Sequence, residues 1–128
     1  MVVRLPGCRV IRASETGFPA FYRVIWARHV GEWSDLNEPE RLHLMQVVTA
    51  VEQVLREVLA PTKINLATLG NVVPHLHWHV IARFDWDTHF PSPVWAEAQR
   101  PSDVDRLSAV TQLLPRVDAL LACRLKTV

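Results

Sequence analysis

The chain has 128 residues and a mass of 14.6 kDa, one domain's worth of sequence. Apolar residues make up 49% and charged residues 21%, which excludes an intrinsically disordered chain and any need for a metal or disulfide to hold the fold. Fourteen Lys and Arg against thirteen Asp and Glu give a formal charge of +1, which excludes gripping a nucleic-acid backbone by bulk charge and leaves phosphate chemistry to a few placed donors.

The first predicted strand spans residues 8–13, and residues 14–19, with Gly17 and Pro19, form the turn after it. A second strand spans residues 21–27, rich in aromatic and β-branched side chains. The first helix starts at the N-cap Asn37, with Pro39 in the first turn and Glu40 three residues after the cap as its capping-box partner. Leu44, Val48, Val51, Leu55, Val58 and Leu59 then follow helical spacing until Pro61 stops the helix. Residues 64–69 read as a third strand, 70–74 as a turn and 76–84 as a fourth strand.

Residues 85–100 form a long connection carrying Trp86, His89, Pro91, Pro93 and Trp95, and loops of that length often have a function. Ser102 caps a last helix along Leu107, Val110, Leu114, Val117 and Leu121, in which Pro115 is expected to kink or split the helix. Strands followed by a helix, twice over, predict an α+β fold with an antiparallel sheet. Cys8 and Cys123 lie near opposite ends, no run approaches about twenty apolar residues, and Arg4 and Pro6 interrupt the start, so the expectation is a reduced, cytoplasmic protein.

Three of the six histidines fall in His75-Leu76-His77-Trp78-His79-Val80-Ile81. On a strand these would share one outward face, with Leu76, Trp78 and Val80 on the core face and Trp78 packed beneath the histidines. A solvent-facing row is ordinarily Thr, Lys or Glu, so three imidazoles there point to chemistry. One reading is a zinc hydrolase. At ~3.3 Å per residue, however, the first and third imidazoles stand ~13 Å apart, so only two can share an ion, and neither Asp85 nor Asp87 is at a recognisable ligand spacing. The other reading is a nucleophilic imidazole flanked by two helpers that stabilise phosphate oxygens as protonated donors. Geometry favours the second.

The same window resembles the His-φ-His-φ-His-φ-φ signature of the histidine triad (HIT) family of nucleotide hydrolases and transferases. Gly70-Asn71 stands where that family usually has Gly-Gln, and Arg83 matches the common His-Val-x-Pro-Arg ending. Upstream, Pro19-Ala20-Phe21-Tyr22-Arg23-Val24-Ile25-Trp26-Ala27-Arg28-His29 is similar to the family's Pro-x-His-x-Leu-Val-x-Pro-Lys-x-His strand. The likeness covers roughly residues 8 to 84, and the triad is its most specific part.

The resemblance implies a single HIT-like domain over residues 1–128, with an antiparallel five-stranded sheet, one long central helix and a C-terminal helix. It implies a nucleotide hydrolase of the diadenosine polyphosphate hydrolase-like branch, working at the α-phosphate of dinucleoside polyphosphates or nucleoside phosphoramidates. His77 would be the nucleophile, His79 a donor to phosphate oxygens, and His75 the residue that orients the catalytic imidazole or assists the leaving group. Gly70, Asn71, Arg23 and Asn65 would contact substrate, Arg23 supplying positive charge where the family's fourth histidine is replaced by Phe21, and Asn65 facing the nucleotide or capping its strand. Val72 stands where some members have a hydroxyl. The resemblance also implies a homodimer with joined sheets and no required cofactor, magnesium accompanying only a polyphosphate substrate. A non-catalytic nucleotide-binding protein is the remaining alternative. His29 reads as structural, His43 as solvated on the polar side of its helix, and the His89–Trp95 stretch as either a base-stacking cover or an apolar clasp.

Overall fold

A tight turn at Pro6-Gly7 starts the sheet. The computed structural model describes residues 1–128, apart from the side chain of residue 127. Strands β1 (Val3–Leu5) and β2 (Cys8–Arg12) pair antiparallel with Leu5 opposite Cys8, so only Pro6 and Gly7 lie between them. Proline before a glycine at φ 80 is the type II pattern. Glycine is needed on a second ground, because a Cβ there would meet the Trp26 ring at 3.1 Å. β1 has no counterpart in the predicted elements: three residues flanked by Pro6, with Arg4 among them, carry too little periodicity to read.

β3 (Phe21–Trp26), β4 (Lys63–Ala67) and β5 (His77–Arg83) complete a five-stranded, wholly antiparallel sheet in the order β1-β2-β3-β5-β4. Helix α1 (Glu38–Leu59) has the predicted capping box: the Asn37 side chain accepts from the Glu40 amide, and Glu40 accepts from the Asn37 amide, both at 2.9 Å. It ends on Ala60 at φ 45, just before Pro61. Leu44, Val47, Val48, Val51, Val54 and Leu55 are buried along one face, which contributes on the order of 10 kcal/mol.

Helix α2 (Val104–Arg124) packs on α1 through Val110, Leu114, Val117 and Leu121. Its cap is Asp103, whose side chain accepts from the Arg106 amide, rather than the predicted Ser102. Pro115 does not split it. That residue is exposed, so the carbonyl deprived of its partner one turn earlier faces water. Both helices lie on the sheet face that presents Tyr22, Val24, Trp26, Val80 and Ala82.

On the opposite face Phe18, Phe21 and Ile81 form a second, smaller core with Ala13 and Val94. Residues 85–100 cover it, so β5 is buried on both sides from His79 onward instead of exposing one row to solvent. The cover is pinned by Arg83, which is 2% exposed. Its Nε and Nη2 donate to the Asp87 carboxylate at 2.9 and 3.1 Å, Nη2 also donates to the Ser92 carbonyl at 2.7 Å, and Nη1 donates to Asn65 Oδ1 at 2.9 Å. Asp87 accepts further from the amides of Phe84, His89 and Phe90. Burial pushes the Asp87 carboxyl up, but the hydrogen bonds from Arg83 and the backbone outweigh it and hold it below its ordinary value. Arg100 closes the segment by donating to the Asp87 and Phe90 carbonyls at 2.6 and 2.7 Å. His43 is not simply solvated: its Nε2 donates to the Pro6 carbonyl at 2.9 Å, tying α1 to the first turn.

Candidate active site

The triad does not lie on one strand. β5 begins at His77, and His75 sits in the bend before it. Two backbone bonds fix that bend, the Leu76 amide donating to the Val30 carbonyl and the Trp26 amide to the Leu76 carbonyl, at 2.9 and 3.1 Å. The His75 ring therefore turns toward the end of β3. Its Nε2 donates to the Trp26 carbonyl, and its Nδ1 stands 3.0 Å from Nδ1 of His29, with the two rings stacked. Both nitrogens of His75 are committed. Because a carbonyl can only accept, His75 carries its proton on Nε2 and receives one at Nδ1 from His29. His29 thus lies stacked against His75.

The His75 contact with His77 runs through the main chain. Nδ1 of His77 donates to the His75 carbonyl at 2.6 Å. This bond fixes the tautomer: the proton is on Nδ1 and the lone pair on Nε2, the nitrogen a nucleophile needs. Across β3, Ile25 is paired with His77, and the Thr68 hydroxyl donates to the His77 carbonyl at 2.7 Å, holding the residue from the β4 side.

His79 is 6% exposed and sits among rings, with centroids 5.0 Å from His77, 5.4 Å from Phe21 and 5.3 Å from Trp95. Arg23 is paired with it across β3 and β5. Burial first, then the nearby His77 and Arg23, lower its pKa from 6.5 to about 4. The shift favours the neutral ring, which offers a hydrogen bond rather than a charge. The fixed positive charge beside it is Arg23, whose Nη2 pairs with Glu15 at 3.1 Å and whose guanidinium lies 5.5 Å from the Phe21 ring.

The other residues singled out in the sequence divide. Gly70, at φ 89, makes the turn before the triad, and Asn71 is exposed on that turn. Asn65 has its side-chain oxygen occupied by Arg83. His89 packs on Phe18 at 5.1 Å and bonds Thr88. Trp78 packs on the main core and against Trp33 at 5.5 Å. Asp87, whose spacing suggested no ligand role, is the anchor of the covering segment. The signal was available, since Arg83 continues the alternation of His77 and His79, and an arginine inside a covered face requires an acid. Among the described residues, no group of three His, Cys, Asp or Glu side chains is placed to hold a metal ion.

An antiparallel five-stranded sheet backed by two helices, with an imidazole presented beside an arginine where β5 begins, defines a histidine triad fold. The HIT domain family model matches residues 1–86, two thirds of the chain, and the protein belongs to that family of nucleotide-binding hydrolases and transferases. Solved structures similar to it include a histidine triad protein from Bradyrhizobium japonicum (32% identity, TM-score 0.73, covering 90% of this chain and 87% of that one). Another, from Marinobacter aquaeolei VT8, has 25% identity, a TM-score of 0.73 and coverage of 94% and 89%. A Zn-bound family protein from Mycobacterium smegmatis, at 19% identity and TM-score 0.62 over 94% and 84%, shares the fold. No curated protein matches the sequence. Among the described residues no helix is long and apolar enough to cross a membrane, and Cys8 and Cys123 are both free thiols.

Proposed function

We propose that the protein is a nucleotide hydrolase that cleaves dinucleoside polyphosphates or nucleoside phosphoramidates at the α-phosphorus through a nucleotidyl-histidine on His77. One observation carries the reading: the Nδ1–H of His77 is fixed on the His75 carbonyl, which leaves the Nε2 lone pair directed away from that bond and available to phosphorus. In the first step Nε2 forms a bond to phosphorus while the bond to the leaving oxygen or nitrogen breaks, and the leaving group takes the electron pair and, from solvent, a proton. In the second, water attacks the same phosphorus and releases a proton to solvent, the P–N bond breaks, and the electron pair returns to Nε2.

The surroundings suit an anionic transition state. Arg23 supplies a fixed positive charge, and neutral His79 supplies an N–H to a phosphate oxygen. Gly70 and Asn71, on the turn before the triad, are the contacts we assign to the phosphate side of the substrate. His75 acts through its carbonyl, and its ring, held by Trp26 and His29, keeps that carbonyl in place. It therefore does not protonate the leaving group. No cofactor is needed on the nucleophile, magnesium serving only to accompany a polyphosphate. Two such chains would join their sheets in a homodimer. The zinc alternative finds no support in the donor set, because both His75 nitrogens are occupied and, among the described residues, no third ligand joins His77 and His79.

Turnover of a panel of diadenosine polyphosphates and adenosine phosphoramidates by wild type and His77→Ala tests the proposal. The expected result is turnover by wild type, with loss of at least about 10³-fold in the variant and nucleotide affinity retained. Equal turnover by both proteins, or binding without turnover by wild type, contradicts it.

A further inference from the structure

On the sheet face that carries His77 and His79, the covering segment lies over Phe18, Phe21 and Ile81. Toward the other edge the same face carries a row of side chains that none of the steps above uses. His77 is paired with Ile25, Ile25 with Arg9, and Arg9 with Arg4 on the edge strand β1. Partners across a sheet project to one side, so these four form a line running outward from the nucleophile. Leu5, Cys8, Val10, Val24 and Trp26 alternate with them into the core. Arg4 is exposed, and Arg9, Ile25 and His77 are half-buried. At ~4.8 Å between neighbouring strands, Arg9 stands ~10 Å from His77 and Arg4 ~15 Å.

Two guanidiniums directly opposite each other on neighbouring strands repel, which costs stability unless an anion answers them. The other arginines of the sheet are answered: Arg12 pairs with Asp118, Arg23 with Glu15 and Arg83 with Asp87. Among the described residues Arg4 and Arg9 have no ion pair, and no residue of β1, β2 or β3 is acidic. Strand side chains stand roughly perpendicular to the sheet, so the two long stems lift their charges above the floor that Ile25 forms. In-line displacement at phosphorus sends the leaving group away from the attacking nitrogen, off the sheet and into that same layer. Paired guanidinium forks are suited to phosphate oxygens, which they grip by two parallel hydrogen bonds.

Resting on the nucleotidyl transfer assigned to His77, we propose that Arg9 and Arg4 form a subsite for a phosphate chain on the leaving group. Arg23 and His79 serve the phosphate under attack, and Arg9 and then Arg4 take the phosphates beyond it. The subsite favours polyphosphates, whose leaving group is itself multiply charged, over phosphoramidates, whose leaving amine brings no anion to the two arginines. A second nucleoside takes no part in this recognition.

Dissociation constants in the His77→Ala background, where substrate persists, test this. The probes are adenosine 5′-phosphoramidate, adenosine 5′-tetraphosphate and diadenosine tetraphosphate. Each is titrated calorimetrically into protein with both arginines, with Arg4→Gln and Arg9→Gln together, and with Arg4→Lys and Arg9→Lys together. Loss of charge-assisted contacts predicts about tenfold or greater weakening of both tetraphosphates in the Gln variant, with part recovered in the Lys variant. The phosphoramidate should change by less than about twofold. Weakening of the diadenosine probe alone would move recognition to the second nucleoside, and equal weakening of all three would mark a general effect; either overturns the subsite. So does a loss under about threefold for the tetraphosphates, or no binding of any probe at millimolar concentration. Urea unfolding gives a second reading, since relief of the Arg4–Arg9 repulsion predicts a Gln variant at least as stable as its parent. A lower midpoint would show the pair answered within the fold and would overturn the subsite too. Because binding and stability are read, failure of the subsite is distinguishable from failure of the hydrolase proposal, which shows as binding without turnover by wild type.

Discussion

Replacing Asp87 with alanine removes the acceptor on which the covering segment depends. The carboxylate is 4% exposed and takes hydrogen bonds from two nitrogens of Arg83 and from the amides of Phe84, His89 and Phe90. Without it, a guanidinium that is itself 2% exposed keeps only Asn65 and the Ser92 carbonyl. Breaking a buried pair by removing one partner costs about 3–5 kcal/mol, a large part of the ~5–15 kcal/mol that stabilises a domain. For a chain of this length that corresponds to a fall in Tm of about 10–20 °C. Calorimetric unfolding at pH 7 measures it. The folded-state carboxyl lies below its ordinary 3.8, so the stabilisation is fully present above that value and is lost as pH falls through the lower folded value. Wild type and Asp87→Ala should therefore converge in acid. A fall in Tm under 3 °C at neutral pH, or a difference that persists unchanged into strong acid, refutes the reasoning.

His79 titrates at about 4 in the folded chain against 6.5 ordinarily, so between those values the unfolded chain binds the extra proton and stability falls as pH is lowered. The fall is on the order of 3 kcal/mol, complete below pH 4, and urea unfolding at pH 7, 5 and 4 should show it diminished in His79→Gln; equal slopes would refute it. Long-range ¹H–¹⁵N correlation spectra of the neutral rings should give His77 the Nδ1–H tautomer and His75 the Nε2–H tautomer, and the reverse assignment for His77 would remove its free nucleophile. Gly7→Ala should cost about 1–3 kcal/mol, since φ 80 is strained for alanine and the added Cβ meets Trp26, a loss that chemical denaturation reads directly.

Local signals were legible in the sequence. The Asn37–Glu40 capping box, the helical spacing behind it and the aromatic strand before it each depend on neighbours a few residues away, and each is where the pattern puts it. The His77–His79 alternation is equally local. What escaped depends on distant partners. His75 leaves the row because the backbone of Leu76 beside it is bonded to Trp26 and Val30 and its own ring to the Trp26 carbonyl, more than forty positions upstream. The burial of the outer face, and with it the neutrality of His79, depends on Arg83 meeting Asp87 and drawing the following segment back over the sheet. Asn65 illustrates the same limit, since an amide on a strand reads as a ligand for substrate until a buried arginine is found at its oxygen. β1 was lost for the opposite reason, being too short for any period to register.

Mixing the protein with an adenosine phosphoramidate and quenching within one turnover, followed by mass spectrometry of the intact chain and its peptides, tests the central claim most directly. The account predicts an adenylyl group on His77 that appears before free adenylate accumulates and is absent from His77→Ala. Product formed in the first turnover with no covalent adduct, or an adduct on another residue, would contradict it.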